Sequence, residues 1–124
     1  MMDKINLVKL LTTNFKNIEV KPELVEPTYK HSIQSQPKDC FNNAFRELIG
    51  QPGTTYILGY VFLHEVPIEH AWIKHKDQHF DVTFPPEDNH TYISIIELKL
   101  AELMPFIEKH GFSPSLYDLN RFSN

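Results

Sequence analysis

A chain of 124 residues, 41% of them apolar, is long enough for one domain with a buried core. Lys and Arg number 12 against 16 Asp and Glu, a formal charge of −4 with no basic block, which argues against nucleic acid as a partner. The single cysteine, Cys40, excludes an internal disulfide and a cysteine-built zinc site, leaving either a buried small side chain or a reactive thiol.

Ile5, Val8, Leu11 and Phe15 recur at helical spacing, with Leu7 and Leu10 alongside, so a first helix is predicted within 1–15. Asp3, Lys4, Asn6 and Lys9 break the apolar run that a signal peptide requires, and nothing else reaches the apolar length of a membrane span. The expectation is a cytoplasmic protein without a membrane partner; an effector delivered without a cleavable signal would read the same. From Asn17 to Lys38, Pro22, Pro27 and Pro37 with little periodicity predict an extended connector wrapped on the surface.

Phe41, Ala44, Phe45, Leu48 and Ile49 fall at i, i+3, i+4, i+7 and i+8, which predicts a helix over 39–49. Asp39 is placed to cap it, Pro37 discourages an earlier start, and Gly50 with Pro52 stops it. Tyr56 to Leu63 is rich in aromatic and branched residues and reads as a buried strand.

His70 to Lys74 and Gln78 to Phe84 read as a hairpin turning at Lys76-Asp77. In a two-residue turn, residue 73 faces 80 and 71 faces 82, so Ala71, Ile73, Phe80, Val82 and Phe84 share an apolar face. His70, Trp72, Asp81 and Thr83 take the other, with His70 and Asp81 as diagonal neighbours within reach of a hydrogen bond. A three-residue turn would mix the apolar set, so the hydrophobic pattern itself selects this register.

Pro85 to Asn89 is a loop. Ser94 and Glu97 have capping-box spacing, predicting a helix onward from there that Pro105 kinks and Gly111 closes. The tail after Phe112 is expected to dock as a short extended piece. The whole reads as one domain over 1–124: helix and connector (1–38), a core (39–84), and a C-terminal helix and tail (85–124).

A thiol attacks as the thiolate, which a helix N-terminus stabilises through its free N–H groups and dipole. Cys40 stands at such a terminus, on the edge of the apolar stripe that meets the sheet. His70 is placed to take its proton and Asp81 to hold the imidazole in the required tautomer. The Cys40 N–H supplies one oxyanion donor, and Gln34 or Gln36 on the connector a second, with Asn43 a weaker candidate. Trp72 and Thr83 would wall the site. No histidine pair at i, i+4 encloses a glutamate, so neither a metal nor a cofactor is expected.

The order of cysteine on a helix, then a strand, a histidine opening a strand and an aspartate on the next resembles the papain-like cysteine hydrolase superfamily. His70-Ala71-Trp72 and Asp81-Val82-Thr83 are similar to the His-Ala-Trp and Asp-x-Thr signatures of its transglutaminase-like branch. Asp39-Cys40 resembles the start of the catalytic helix in NlpC-type endopeptidases. The resemblance spans roughly residues 34 to 84. It implies an α+β fold, a minimal papain-like core with the cysteine helix packed on an antiparallel sheet and terminal helices flanking it. The implied chemistry is amide or isopeptide hydrolysis, or acyl transfer, through a thioester on Cys40, with a peptide, protein or other amide as substrate. The alternative is a non-catalytic binding or inhibitor module that uses the same cleft to hold a partner.

Overall fold

The computed structural model describes residues 3–32 and 35–122, so Gln34 lies outside the described residues. The elements run α1 (Lys4–Leu11), β1 (Glu23–Val25), β2 (Thr28–Tyr29), α2 (Cys40–Gly50), β3 (Thr54–Leu63), β4 (Val66–His75), β5 (Gln78–Asp81), β6 (His90–Leu98), α3 (Leu100–His110) and α4 (Leu116–Phe122). One six-stranded sheet has the order β1-β6-β3-β4-β5-β2. The class is α+β, as expected, but the sheet is mixed, because β2 runs parallel to β5 while the other neighbours are antiparallel.

The connector closes this sheet on itself. Strands β1 and β2 sit at opposite edges, yet only Glu26 and Pro27 separate them in sequence. Six flat strands would set those edges about 24 Å apart, whereas the step from Val25 to Thr28 reaches at most about 11 Å. The sheet therefore curls until its edges meet, and the segment expected to lie along the surface becomes the staple between them.

Curling divides the apolar residues into two clusters. On the convex face, Val8 of α1, Ala44 and Leu48 of α2, Leu103 of α3 and Leu116 of α4 pack on Tyr56, Leu58, Ala71, Ile73 and Ile93. On the concave face, Ile57, Val61, Trp72 and Tyr92 gather with Val25 and Phe84, residues from across the whole sheet that meet only in its interior. The face carrying His70 and Trp72 is thus a second core. Phe84 was expected on the opposite face. Strand β5 ends at Asp81 and the chain bends over 82–84, so strand parity lapses and Phe84 turns inward.

Both hairpins on β4 close with two-residue turns whose central residues have positive φ, His64 and Glu65 (50° and 68°) and Lys76 and Asp77 (51° and 64°). That backbone matches the strand twist. It fixes Ile73 opposite Phe80, the register that the apolar pattern requires.

Three expectations fail outside this region. His90–Leu98 is strand β6, where a helix was predicted from Ser94, and Ser94 faces Gly59 of β3 instead of capping anything. Its branched residues, Ile93, Ile95 and Ile96, pack between β1 and β3. The helix starts later, at Leu100, where Glu102 reaches back to the Lys99 N–H at 2.9 Å; it carries Pro105 within it and ends at Gly111 in the left-handed conformation. The tail is helical, not extended: Ser115 and Asp118 cap α4 reciprocally, and the Glu69 carboxylate accepts the Leu116 N–H. At the other end, α1 is confined to Lys4–Leu11, capped by Asp3, and Phe15 packs on the core from beyond it.

Candidate active site

Asp81 is fully buried, and its carboxylate is satisfied on every side. Oδ1 accepts the Thr83 and Phe84 N–H groups at 2.8 and 3.2 Å, while Oδ2 meets His70 Nε2 at 2.8 Å and the Tyr92 hydroxyl at 2.6 Å. The first two bonds come from the bend that ends β5. The Tyr92 bond crosses the interior from β6, three strands away in sheet order, and exists because the sheet curls. Tyr92 is a member of this buried cluster that sequence reasoning missed. In the chain it is one aromatic among branched residues, and nothing local marks it.

His70 is 3% exposed and stacks on Phe84, with ring centroids 4.7 Å apart. Strand β4 is paired to β5 only from Ile73 to His75, so beside His70 that edge has no β5 partner, and α2 packs along β4. The half-buried Cys40, first residue of α2, stands near enough to the His70 ring to help raise its pKa. With Nε2 held by Asp81, Nδ1 is the nitrogen left for the thiol. Of the sequence-predicted triad, His70 and Asp81 are bonded directly, with Cys40 in the ring's neighbourhood.

Asp39 occupies the N-cap position but does not cap. Its carboxylate binds the Asn42 side chain at 2.9 Å and Arg46 at 3.3 Å. The Asn43 N–H is the first of the helix to meet a backbone carbonyl, that of Asp39. The N–H groups of Cys40, Phe41 and Asn42 precede that ladder and point out of the helix start. Lys38, in the left-handed region at φ 60°, turns the chain into this terminus.

The other candidates have different places. Gln36 is exposed and tied through its backbone, its N–H to Asn43 Oδ1 at 2.9 Å and its carbonyl to Asn43 Nδ2 at 2.8 Å. Asn43 also donates to Thr83 Oγ1 at 3.0 Å, so the pair fastens the connector and the post-β5 bend to α2. Asn43 is a brace beneath the site. Trp72 is fully buried in the concave core, its indole N–H donated to His79 Nδ1 at 2.8 Å. Among the described residues no three His, Cys, Asp or Glu side chains converge as metal ligands, and no helix is long and apolar enough to cross a membrane.

A cavity of about 690 Å³ opens elsewhere, at the far end of the concave interior; neither Cys40, His70 nor Asp81 lines it.

No family model, curated protein or solved structure matches the chain.

Burial works against a charged His70, but the Asp81 bond and Cys40 outweigh it and raise the ring from 6.5 to about 9. Burial alone would raise Asp81; the bond and charge of His70, then Tyr92 and the Thr83 N–H, hold it below its ordinary 3.8. A raised His70 contributes stability in full below about pH 6.5, lost as pH climbs through about 9. A depressed Asp81 contributes above its unfolded value and loses that as pH falls through the folded one. Both describe one interaction. Stability should therefore be highest between about pH 4 and 6.5, and fall by on the order of 3 kcal/mol by about pH 9.5. Denaturant midpoints across that range test this; a His70→Gln variant with an equally steep alkaline decline would refute it.

Proposed function

We propose that the chain is a thiol-dependent amide or isopeptide hydrolase, or acyl transferase, of papain-like type working in a reducing, cytoplasmic setting. One observation carries the reading: a buried His70–Asp81 pair bonded at 2.8 Å, near a cysteine at the first residue of a helix.

In the first step His70, which has taken the Cys40 proton on Nδ1, holds it there while the sulfur adds to the substrate carbonyl carbon. The carbonyl π pair moves to oxygen, and this oxyanion lies toward the first-turn N–H groups of α2, which Asp39 leaves uncapped. Collapse re-forms the carbonyl and breaks the C–N bond, and the departing amine takes the proton from Nδ1. A thioester remains. Water attacks it in hydrolysis, an amine in transfer, and His70 accepts the nucleophile's proton before returning it to sulfur. Asp81 stays ionised throughout, fixing the ring's tautomer and offsetting the imidazolium charge.

The second reading, a binding or inhibitor module, draws on the near-complete burial of His70 and on a cavity that Cys40 does not line. Iodoacetamide separates the two. The enzyme reading expects Cys40 to label at least about tenfold faster than free cysteine at pH 7, with His70→Ala removing the excess. Labelling no faster than in the unfolded chain would leave the binding module.

A further inference from the structure

We propose that the far end of the sheet's interior is a binding site for an organic cation, a primary ammonium on a flexible chain such as a lysine side chain or a polyamine. Small barrels fill their interior with apolar side chains. Here Trp72, Tyr92, Ile57 and Val61 fill one end and stop. Beyond Ile57 the same face carries Lys74, His79 and Glu97, and about 690 Å³ stays open, within the usual range for small-molecule sites. Residues of β1 and β5, the first and fifth strands in sheet order, line this one half-open space, so its walls are brought together by the curl of the sheet.

Charge gives the ligand's sign. Six carboxylates line the cavity against two lysines, and both lysines are already paired, Lys21 with Glu19 at 3.4 Å and Lys74 with Glu97 at 3.2 Å. In the rest of the chain ten basic residues balance ten acidic ones, so the whole formal charge of −4 is concentrated at this mouth. A cleft so charged focuses the potential on an incoming cation.

His79 adds a directional group. The Trp72 indole can only donate, so His79 Nδ1 must accept, and the neutral ring carries its proton on Nε2, the nitrogen turned away from the buried Trp72. Burial, then Lys74, lowers the His79 pKa, which keeps the ring neutral at pH 7. The cavity thus offers a hydrogen-bond donor within a ring of carboxylates. A lysine in a peptide answers both, with its ammonium for Glu23 and Glu26 and its amide carbonyl for His79; a polyamine answers only the carboxylates.

The site is independent of the thiol chemistry, and Cys40→Ala should leave it unchanged. Amide chemical shifts, followed at low salt, test it with three probes: Gly-Lys-Gly, the same peptide with norleucine for lysine, and spermidine. Gly-Lys-Gly should shift the Lys74, His79 and Glu97 resonances to saturation at one site, and the norleucine peptide should not. The double variant Glu23→Gln, Glu26→Gln should weaken binding at least about fivefold. His79→Gln, whose side-chain oxygen can still accept from Trp72, should weaken the peptide and spare spermidine. Saturation by spermidine alone would support the ammonium site and assign it to a polyamine. Shifts spread over the acidic surface without saturation, or binding indifferent to the double variant, would overturn the proposal.

Discussion

Replacing Asp81 with asparagine should leave the protein folded and abolish the reactive excess of Cys40. The asparagine oxygen can still accept the Thr83 and Phe84 N–H groups that Oδ1 takes now. Its amide nitrogen then falls where Oδ2 stood and donates to His70 Nε2. A ring that accepts at Nε2 carries its neutral-state proton on Nδ1, the nitrogen left for Cys40, and can no longer take the thiol proton. The corresponding change in serine triads costs about 10⁴ in kcat for this reason, so Cys40 acylation by an activated ester should fall about 10³- to 10⁴-fold. The alkaline loss of stability should flatten in the same variant, because the raised His70 value depends on Asp81. A variant keeping more than about a tenth of the wild-type acylation rate would remove Asp81 from the mechanism.

Gly59→Ala should be the most damaging single methyl group in the sheet. A Cβ there would lie 2.1 Å from the Ile93 carbonyl oxygen, 2.8 Å from the Trp72 ring and 2.9 Å from the Ser94 Cα. Gly59 stands opposite His70 on β4, at the point where the β3–β6 register shifts and β6 carries an extra residue. Making room means separating β3 from β6 or pushing Trp72 out of the interior. The expected cost is about 3 kcal/mol or more, at the upper end for overpacked cores, or a melting temperature lower by on the order of 10 °C. Gly50→Ala is the control, since nothing lies within 4 Å of its Cβ position and it ends α2 without a positive φ. Equal melting temperatures for the two variants would refute the close approach at Gly59.

Both changes act at positions whose importance the sequence shows unevenly. Asp81 and His70 could be paired from the chain alone, because a two-residue turn and period-two alternation fix which residues share a face. Gly59 looks like a flaw in a strand until the strand's two neighbours are known. Tyr92 is similar: its hydroxyl completes the Asp81 carboxylate from the far side of the interior, and no spacing rule connects residues 81 and 92 when two other strands lie between theirs.

The misread segment, His90 to Leu98, shows the same division. Ser94 and Glu97 at capping-box spacing beside Ile95 and Leu98 suit a short helix as well as they suit a strand, and periodicity over so few residues does not separate the two. Pairing on both edges, to β1 and β3, decides for the strand. The Ser115–Asp118 pair, by contrast, is a local capping signal that the tail sequence did contain and that α4 uses.

By itself, then, the sequence determined what depends on neighbours along the chain. That includes the α2 stripe with Cys40 at its head, the tight turn at Lys76-Asp77, and the shared face of His70 and Asp81. The tertiary structure decided everything that requires the sheet to curl: the meeting of β1 and β2, the interior core around Trp72, the Tyr92 bond to Asp81 and the acidic cavity beyond it. Local hydrogen bonding and side-chain parity are encoded within a few residues. Closure is set by packing between strands far apart in sequence, and only the assembled sheet contains it.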